Sequence, residues 1–197
     1  MGNVKSVMNM LKKIGIKSTL SRNMDDIIKA EKLILPGVGA FDAAMQKLKE
    51  YNLIDILNTK VIKEKTPVLG ICLGMHIMSE TSEEGNLSGL GWFNAQVKKF
   101  NFDSSPNHNL PIPHMGWNVA TPNSTENLFK ELDAKSRFYF VHSYHIECRD
   151  KNDILATTNY GYEFTCSVHK DNIYAVQFHP EKSHKFGMQL LKNFVNL

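Results

Sequence analysis

A cysteine between two glycines, in the stretch Gly70-Ile71-Cys72-Leu73-Gly74, is the residue of this sequence best suited to nucleophilic chemistry. It follows an apolar run at residues 67–71 that predicts a buried strand, and a helical pattern comes after it. A sharp turn that holds a nucleophile in a strained conformation leaves no room for side chains beside it, so the glycines predict a nucleophile elbow. The first N–H groups of the following helix would favour a thiolate. The alternative is a buried structural cysteine whose glycines serve only packing.

A histidine and a carboxylate stand at the end of another predicted strand, in Gln177-Phe178-His179-Pro180-Glu181. A thiolate nucleophile needs a base, and the base needs a group that orients it. We therefore predict that His179 is the base and that Glu181 orients it. Pro180 prevents a helical continuation, so that both side chains can project above the sheet. The alternative is a histidine in an ordinary loop.

A third motif, Leu35-Pro36-Gly37-Val38-Gly39-Ala40-Phe41, also follows a predicted strand. Its two glycines allow backbone N–H groups near Gly37 and Val38 to turn toward a developing oxyanion, together with the N–H of Leu73. The alternative is a simple turn rich in proline and glycine.

Helical and strand patterns alternate in the first half of the chain, which indicates an α/β fold with a parallel sheet. Strand patterns dominate from residue 89 onward. We predict helices at residues 3–14, 41–57 and 185–195, and strands at residues 32–35, 67–71, 89–100, 114–120, 138–146, 154–159, 164–169 and 173–178. The three motifs each follow a strand, and open α/β sheets place their sites at the carboxyl ends of strands.

Composition narrows the class of protein. The 197 residues suit one domain, residues 1–197, and 23 basic against 20 acidic residues, scattered along the chain, give no argument for nucleic acid. No apolar run reaches the length that a bilayer requires and no secretory signal is present, so we expect a cytoplasmic protein without a membrane segment. Cys72, Cys148 and Cys166 are odd in number and widely spaced, which disfavours disulfides. His142 and His145 would point to opposite faces of one strand, so we expect no metal site.

Seven motifs in order, PGVGAF, GICLGM, SEEG, GLGW, PHMGWN, YFVHSY and QFHPEKS, give the sequence a resemblance to a known family. It resembles the class I, triad-type glutamine amidotransferases, in particular the glutaminase subunit of imidazole glycerol phosphate synthase and its paralogues. The resemblance covers nearly the whole chain. It implies a three-layer, flavodoxin-like α/β fold with a mostly parallel central sheet.

The resemblance also implies the chemistry and its residues. Cys72 would attack the side-chain amide of L-glutamine to form a γ-glutamyl thioester, with His179 as base and acid and Glu181 orienting it. No cofactor is implied. The expected glutamine pocket consists of Gly39, Leu73, His76, Glu84, Ser143 and Tyr144. Glu84 would bind the α-ammonium group, and backbone groups near Ser143 and Tyr144 would bind the carboxylate.

A (β/α)8-barrel synthase would receive the ammonia as the other subunit of a heterodimer. Asn3, Trp117, Tyr139 and Lys182 match positions that face this partner in the family. In their alternative interpretation, Trp117 and Tyr139 are core aromatics and Lys182 is a solvated charge.

The sequence departs from the family pattern in two places, and each departure leads to an expectation about the structure. The family begins with a buried strand before the Gly-Asn that is Gly2-Asn3 here, so we expect either that the recorded start is too late or that the sheet lacks this strand and has a gap in its core. His76 stands where the family usually has glutamine, and a histidine there can still donate a hydrogen bond.

Three hypotheses about the function remain. Histidine biosynthesis is the first acceptor pathway. The second is the amination of surface-polysaccharide sugars, to which paralogues of the subunit supply ammonia, since the ending PEKSHKFGMQLLKNF resembles these paralogues at least as much as it resembles the histidine-pathway enzyme. A third hypothesis is a non-catalytic binding partner of the synthase, against which the intact set of Cys72, His179 and Glu181 argues.

Overall fold

Helices and strands alternate up to Ile77, and strands dominate from there to the last helix. The computed structural model describes residues 4–103 and 110–197. The helices are α1 (Val4–Lys13), α2 (Met24–Lys29), α3 (Phe41–Glu50), α4 (Leu53–Asn58), α5 (Leu73–Ile77) and α6 (His184–Val195). The strands are β1 (Leu33–Gly37), β2 (Val68–Cys72), β3 (Thr81–Ser82), β4 (Ala95–Lys99), β5 (His114–Val119), β6 (Thr121–Pro122), β7 (Arg137–His142), β8 (Tyr144–Cys148), β9 (Ile154–Tyr160), β10 (Tyr162–Lys170) and β11 (Ile173–Val176).

The central sheet is mixed, which corrects the expectation of a mostly parallel sheet. Its main path runs β1-β2-β11-β10-β8-β4-β3, with β9 beside β10 and β6 beside β9. The pairs β1-β2, β2-β11 and β3-β4 are parallel, and the other pairs of this sheet are antiparallel. A parallel pair needs a crossover of a dozen or more residues, whereas short turns join β9 to β10 and β10 to β11. Longer connections join the parallel pairs that are consecutive in the chain: helices α3 and α4 lie between β1 and β2, and residues 83–94, which contain no helix, lie between β3 and β4. A separate antiparallel pair joins β5 to β7.

Helices cover both faces of the sheet, as the three-layer α/β expectation requires. Along β2, Leu69 and Ile71 pack into the core that contains Val7 of α1 and Leu190 of α6. Val68 of the same strand packs into a second core with Leu57 of α4. Because successive side chains of a strand point to opposite faces, this central strand contributes to both apolar layers.

A groove of about 670 Å³ runs beside β1, where the sequence predicts a gap in the core. Residues 33–36 of β1 line it together with Val7 and Leu11 of α1 and residues 16–21. Among the described residues, β1 pairs with β2 alone, and its residues are only partly buried, whereas those of β2 are fully buried. The gap is thus a partly open apolar groove along an unpaired strand edge.

Two predicted elements are divided in the structure. The helix expected at residues 41–57 is interrupted at Asn52, whose φ of 53° starts the new helix α4. The strand expected at residues 138–146 consists of β7 and β8, which part at Ser143. No helix in the described ranges has the length and apolarity needed to cross a membrane.

Candidate active site

Cys72 ends β2 and directly precedes α5, as the elbow predicts. Its φ of 54° and ψ of −108° place it in a strained region of backbone space that a residue other than glycine rarely adopts. A Cβ at Gly74 would overlap the carbonyl oxygen of Leu35, and one at Gly70 would lie 2.9 Å from the backbone of Gly74. The two glycines are therefore required by the close approach of backbone on each side of the cysteine.

His179 and Glu181 form a buried ion pair after β11. Nδ1 of His179 lies 2.8 Å from Oε1 of Glu181, and their side chains are 2% and 4% exposed. Ser183 holds the histidine in place, since its hydroxyl donates to the carbonyl oxygen of His179 and accepts from the N–H of Tyr139. The N–H of His179 donates to the carbonyl oxygen of Tyr139, which anchors this segment to β7.

The surroundings of His179 favour the protonated form of its ring. Burial by itself would lower the pKa of His179, but the neighbouring Cys72 and Glu181 raise it to about 9. Its Nε2 is buried and has no hydrogen-bond partner among the described residues. Catalytic hydrogen bonds are often long in a free enzyme, so Nε2 is the atom available to exchange a proton with Cys72.

The raised pKa of His179 predicts a pH-dependent effect of Glu181→Gln on stability. Since the folded-state pKa of about 9 exceeds the ordinary value of 6.5, the pair stabilises the fold fully below pH 6.5 and loses this effect as the pH rises through 9. We expect Glu181→Gln to lower the free energy of unfolding by roughly 1–3 kcal/mol at pH 6, and by much less at pH 10. Urea unfolding at both values measures this, with Glu50→Gln at an exposed position as control. An equal loss at both pH values would contradict the assignment.

The segment expected to form the oxyanion hole adjoins the elbow. Gly37 pairs with Cys72 across β1 and β2, and a Cβ at Gly37 would lie 3.0 Å from Cβ of Leu73. Gly39 has a φ of 107°, which requires glycine. In the part of the chain that the structure describes, the N–H groups of Val38 and Gly39 donate no hydrogen bond. Both residues border the cavity that contains Cys72.

A cavity of about 330 Å³ brings all six residues of the expected glutamine pocket together. It is lined by Val38, Gly39, Cys72, Leu73, His76, Glu84, Val141, His142, Ser143, Tyr144, His179 and Lys182. Glu84 is held at its edge because Oε2 accepts from the N–H of Phe41 at the start of α3. The catalytic and binding roles of these residues stay predictions, but their convergence on one cavity is a feature of the fold.

His76 contacts a residue that the sequence analysis did not assign. Its Nε2 lies 2.8 Å from Oε1 of Gln177, and since an amide oxygen only accepts, Nε2 carries the proton. Burial lowers the pKa of His76 to about 4, so the ring is neutral at pH 7. The amide nitrogen of Gln177 then points toward Sγ of Cys72, at 3.9 Å. Gln177 and Ser183 both lie in the quoted motif QFHPEKS, which is the signal that could have identified them.

The environments of the three cysteines differ. Burial and nearby carboxylates raise the pKa of Cys148 to about 12, and burial raises the pKa of Cys166 further. Neither side chain lines the cavity, whereas Cys72 does. Only Cys72 combines an elbow with a neighbouring base.

We therefore expect a glutamine analogue with a diazo-ketone group to label Cys72 alone. The other two thiols are kept protonated and lie away from the cavity, so they offer no comparable nucleophile. Peptide mapping by mass spectrometry after reaction measures the labelled position, with Cys166→Ala as the control that should label normally. Labelling of Cys166 while Cys72 stays free would contradict the triad.

Of the residues expected to face a partner, Trp117 and Lys182 are exposed and Tyr139 is half-buried, and the three lie together beside the cavity. Trp117 is 45% exposed, and its ring packs edge-on against Tyr139 and stacks on His184. Nζ of Lys182 lies 5.3 Å from the centroid of the Tyr139 ring. Trp117 is thus not a core aromatic. Asn3 lies outside the described residues.

His142 and His145 do not point to opposite faces, which corrects the sequence argument. The chain changes strand at Ser143, and both rings pack against Phe100, with centroids 5.3 and 4.9 Å away. Their ring nitrogens contact the carbonyl oxygen of Tyr144 and the hydroxyl of Tyr162. Within residues 4–103 and 110–197, no group of three or more His, Cys, Asp or Glu side chains could hold a metal ion.

Several known proteins are similar in sequence to this chain over nearly its full length. A protein of Methanococcus maripaludis named imidazole glycerol phosphate synthase subunit HisH 2 is 56% identical over 195 residues, which cover 99% of this chain and 95% of the relative. A protein of the same name from Pseudomonas aeruginosa is 49% identical over 196 residues, or 100% of this chain and 95% of the relative.

Solved structures show the same fold at low sequence identity. A structure described as a glutamine amidotransferase matches with a TM-score of 0.74 at 18% identity, covering 99% of this chain and 93% of the other. A putative GMP synthase protein from Thermoplasma acidophilum matches with a TM-score of 0.70, also at 18% identity, covering 100% and 88%. The sequence model of the family described as glutamine amidotransferase class-I matches residues 1–197. With its elbow cysteine, its buried histidine and carboxylate, and these relatives, the chain belongs to the class-I glutamine amidotransferase family.

Proposed function

We propose that this chain is the glutaminase subunit of an imidazole glycerol phosphate synthase, and that it supplies ammonia to a (β/α)8-barrel partner in a heterodimer. Residues 1–197 would act as one cytoplasmic domain. The observation that carries the proposal is the cavity in which Cys72, in its strained elbow conformation, shares the lining with His179, whose Nδ1 is bound to Glu181. Relatives that carry the name of this subunit support the acceptor pathway.

The proposed reaction has two steps, formation and hydrolysis of a thioester on Cys72, and His179 transfers a proton in both. Sγ of Cys72 attacks the side-chain carbonyl carbon of L-glutamine, and the oxyanion that forms is met by N–H groups of Val38 and Leu73. His179 takes the proton of the Cys72 thiol and passes it to the amide nitrogen, so that the C–N bond breaks, ammonia leaves and a γ-glutamyl thioester remains. Water, deprotonated by His179, then attacks the thioester, and glutamate leaves as Cys72 regains its proton.

The cavity lining supports glutamine as substrate. The carboxylate of Glu84 stands at one edge and offers a partner to the α-ammonium group, while backbone groups of Ser143 and Tyr144 stand elsewhere along the lining. His76 takes part through Gln177, which it orients toward Cys72.

The exposed group around Trp117 supports docking of the barrel next to this cavity. Met115 and Trp117 share one face of β5, at 62% and 45% exposure, and Val141 and Lys182 connect that face to the cavity lining. Large apolar side chains exposed in one patch indicate an interaction site. Ammonia released at Cys72 would then leave beneath the bound partner.

Trp117→Ala tests this docking surface. We expect the affinity for the barrel synthase to fall at least about tenfold, since aromatic residues dominate the binding energy of interfaces. Titration calorimetry with the purified partner measures the affinity, and Tyr51→Ala, an aromatic residue that is 40% exposed at the end of α3, is the control. Unchanged affinity for Trp117→Ala would place the interface elsewhere.

The second acceptor pathway is the amination of a surface-polysaccharide sugar, since the C-terminal sequence resembles the paralogues that supply ammonia for it. Product analysis of the complex with its barrel partner separates the two, since only the histidine-pathway synthase converts its acceptor into imidazole glycerol phosphate and AICAR. A non-catalytic role would be indicated by absence of glutamate release from any such complex.

A further inference from the structure

A chain of hydrogen-bonded side chains runs from Asn118 on β5 through His114 and His142 to the backbone at Tyr144. Nδ1 of His142 lies 2.7 Å from the carbonyl oxygen of Tyr144, and Nε2 of His142 lies 3.1 Å from Nδ1 of His114. Nε2 of His114 lies 3.4 Å from Nδ2 of Asn118. His114 and His142 are direct cross-strand neighbours on β5 and β7, and they are 3% and 6% exposed.

These contacts fix the tautomer of both rings. A carbonyl oxygen only accepts, so Nδ1 of His142 must carry the proton, which leaves Nε2 as an acceptor. Nδ1 of His114 must then donate to it, and Nε2 of His114 accepts from Asn118. The amide of Asn118 is fixed independently, because Oδ1 accepts from the N–H of Val119 and Nδ2 donates to the carbonyl oxygen of Asn159. The contacts at both ends therefore require that hydrogen bonds are donated in one direction, from Asn118 to His114, from His114 to His142 and from His142 to Tyr144.

Both rings are suited to remain neutral in this chain. Burial lowers the pKa of His114 to about 4 and holds the pKa of His142 well below its ordinary value. The ring of His114 is also stacked between Phe140 and Tyr160, with centroids 4.8 and 4.1 Å away. Its orientation is thus set by packing as well as by hydrogen bonds.

The chain ends on backbone that borders the cavity of Cys72. The carbonyl oxygen of Tyr144 is held by His142, and that of Ser143 accepts from the N–H of Phe100 at 3.1 Å. A trans peptide is planar with its N–H opposite its C=O. Holding the carbonyl of Ser143 therefore fixes the direction of the N–H of Tyr144, and holding the carbonyl of Tyr144 fixes the peptide that follows, so the segment that borders the cavity is restrained at both ends.

We propose that His142 and His114 are positioning residues for substrate binding, because their directional hydrogen-bond chain holds the carbonyl of Tyr144 and so restrains, together with Phe100 on the carbonyl of Ser143, the backbone that would meet the carboxylate of glutamine. This inference rests on the proposed function. It assigns to the two histidines a role in substrate affinity and none in the bond-breaking steps at Cys72.

Steady-state glutamate release by the chain with its synthase partner tests the role. We expect His142→Leu to raise KM for glutamine about tenfold while kcat changes less than about threefold, as for loss of binding that is equal in ground and transition states. His142→Asn should restore most of the affinity, since its Nδ2 can take the place of Nδ1. His145→Leu is the matched control, a buried histidine of β8 bonded to Tyr162, and should leave KM unchanged.

The tautomers are measured on the unmodified chain, which keeps the proposal testable if a variant does not fold. Long-range ¹H–¹⁵N correlation spectra of the imidazoles at pH 7 should show both His114 and His142 as neutral rings protonated at Nδ1. A ring protonated at Nε2, an imidazolium, an unchanged KM for His142→Leu, or an equal rise for His145→Leu would each overturn the proposal. Failure of the proposed function would appear separately, as glutamine hydrolysis that survives Cys72→Ala.

Discussion

Cys72→Ala is expected to lower glutamine-dependent turnover at least about a thousandfold, because no other group can form the thioester. The same substitution should leave the barrel partner as active as before when ammonia is added, since the proposed function places the acceptor chemistry on the other subunit. The measurement is the rate of product formation by the complex with glutamine and, separately, with an ammonium salt.

The structure makes this a specific test of the nucleophile. Cys72 lies in a strained backbone conformation between two glycines that tolerate no side chain, and alanine removes only the sulfur from that arrangement. Cys166→Ala, at a buried thiol outside the cavity, is the control for any general effect of losing a cysteine. Glutamine-dependent turnover that persists in Cys72→Ala, or ammonia-dependent turnover that disappears with it, would refute the division of labour.

The parts of the site that the sequence predicted are those fixed by local geometry. The spacing of Gly70, Cys72 and Gly74 predicts the elbow because the turn itself excludes Cβ atoms, and the structure has the expected turn. The His179 and Glu181 pair is also predicted by local geometry, because Pro180 between them prevents a helical continuation and lets both side chains project above the sheet. The fold class followed from the alternation of helices and strands and from the resemblance.

What the sequence did not predict depends on contacts between distant segments. The expectation of a mostly parallel sheet was wrong because β10 pairs antiparallel with β8, β9 and β11, and a periodic pattern does not reveal the short turns that set these strand directions. His142 and His145 would point to opposite faces only on one continuous strand, whereas Ser143 separates β7 from β8. Gln177 gave no signal as a separate residue, because its contacts with Cys72 and His76 span more than 100 residues of sequence.

The oxyanion segment is expected to make the free chain nearly inactive as a glutaminase, with activation of about a hundredfold when the partner and its acceptor substrate are bound. Gly37 is held by its pairing with Cys72, and Phe41 is held by Glu84. Between them, the N–H groups of Val38 and Gly39 donate no hydrogen bond within the described residues, and Val38 is 45% exposed. This segment is therefore anchored at both ends and unconstrained in the middle.

Activation then requires contacts that differ between two states of the segment, since a ligand shifts an equilibrium only by its differential affinity. The partner can provide them through Tyr139 and Lys182, which lie beside the cavity and connect to His179 through the backbone of β7. Misdirecting one oxyanion donor costs on the order of 3 kcal/mol, which is the hundredfold effect expected here. Glutamate release is to be measured for the free chain, for the complex, and for the complex with its acceptor substrate. Equal rates in all three would mean that the donors already point at the oxyanion and that the partner has no part in directing them.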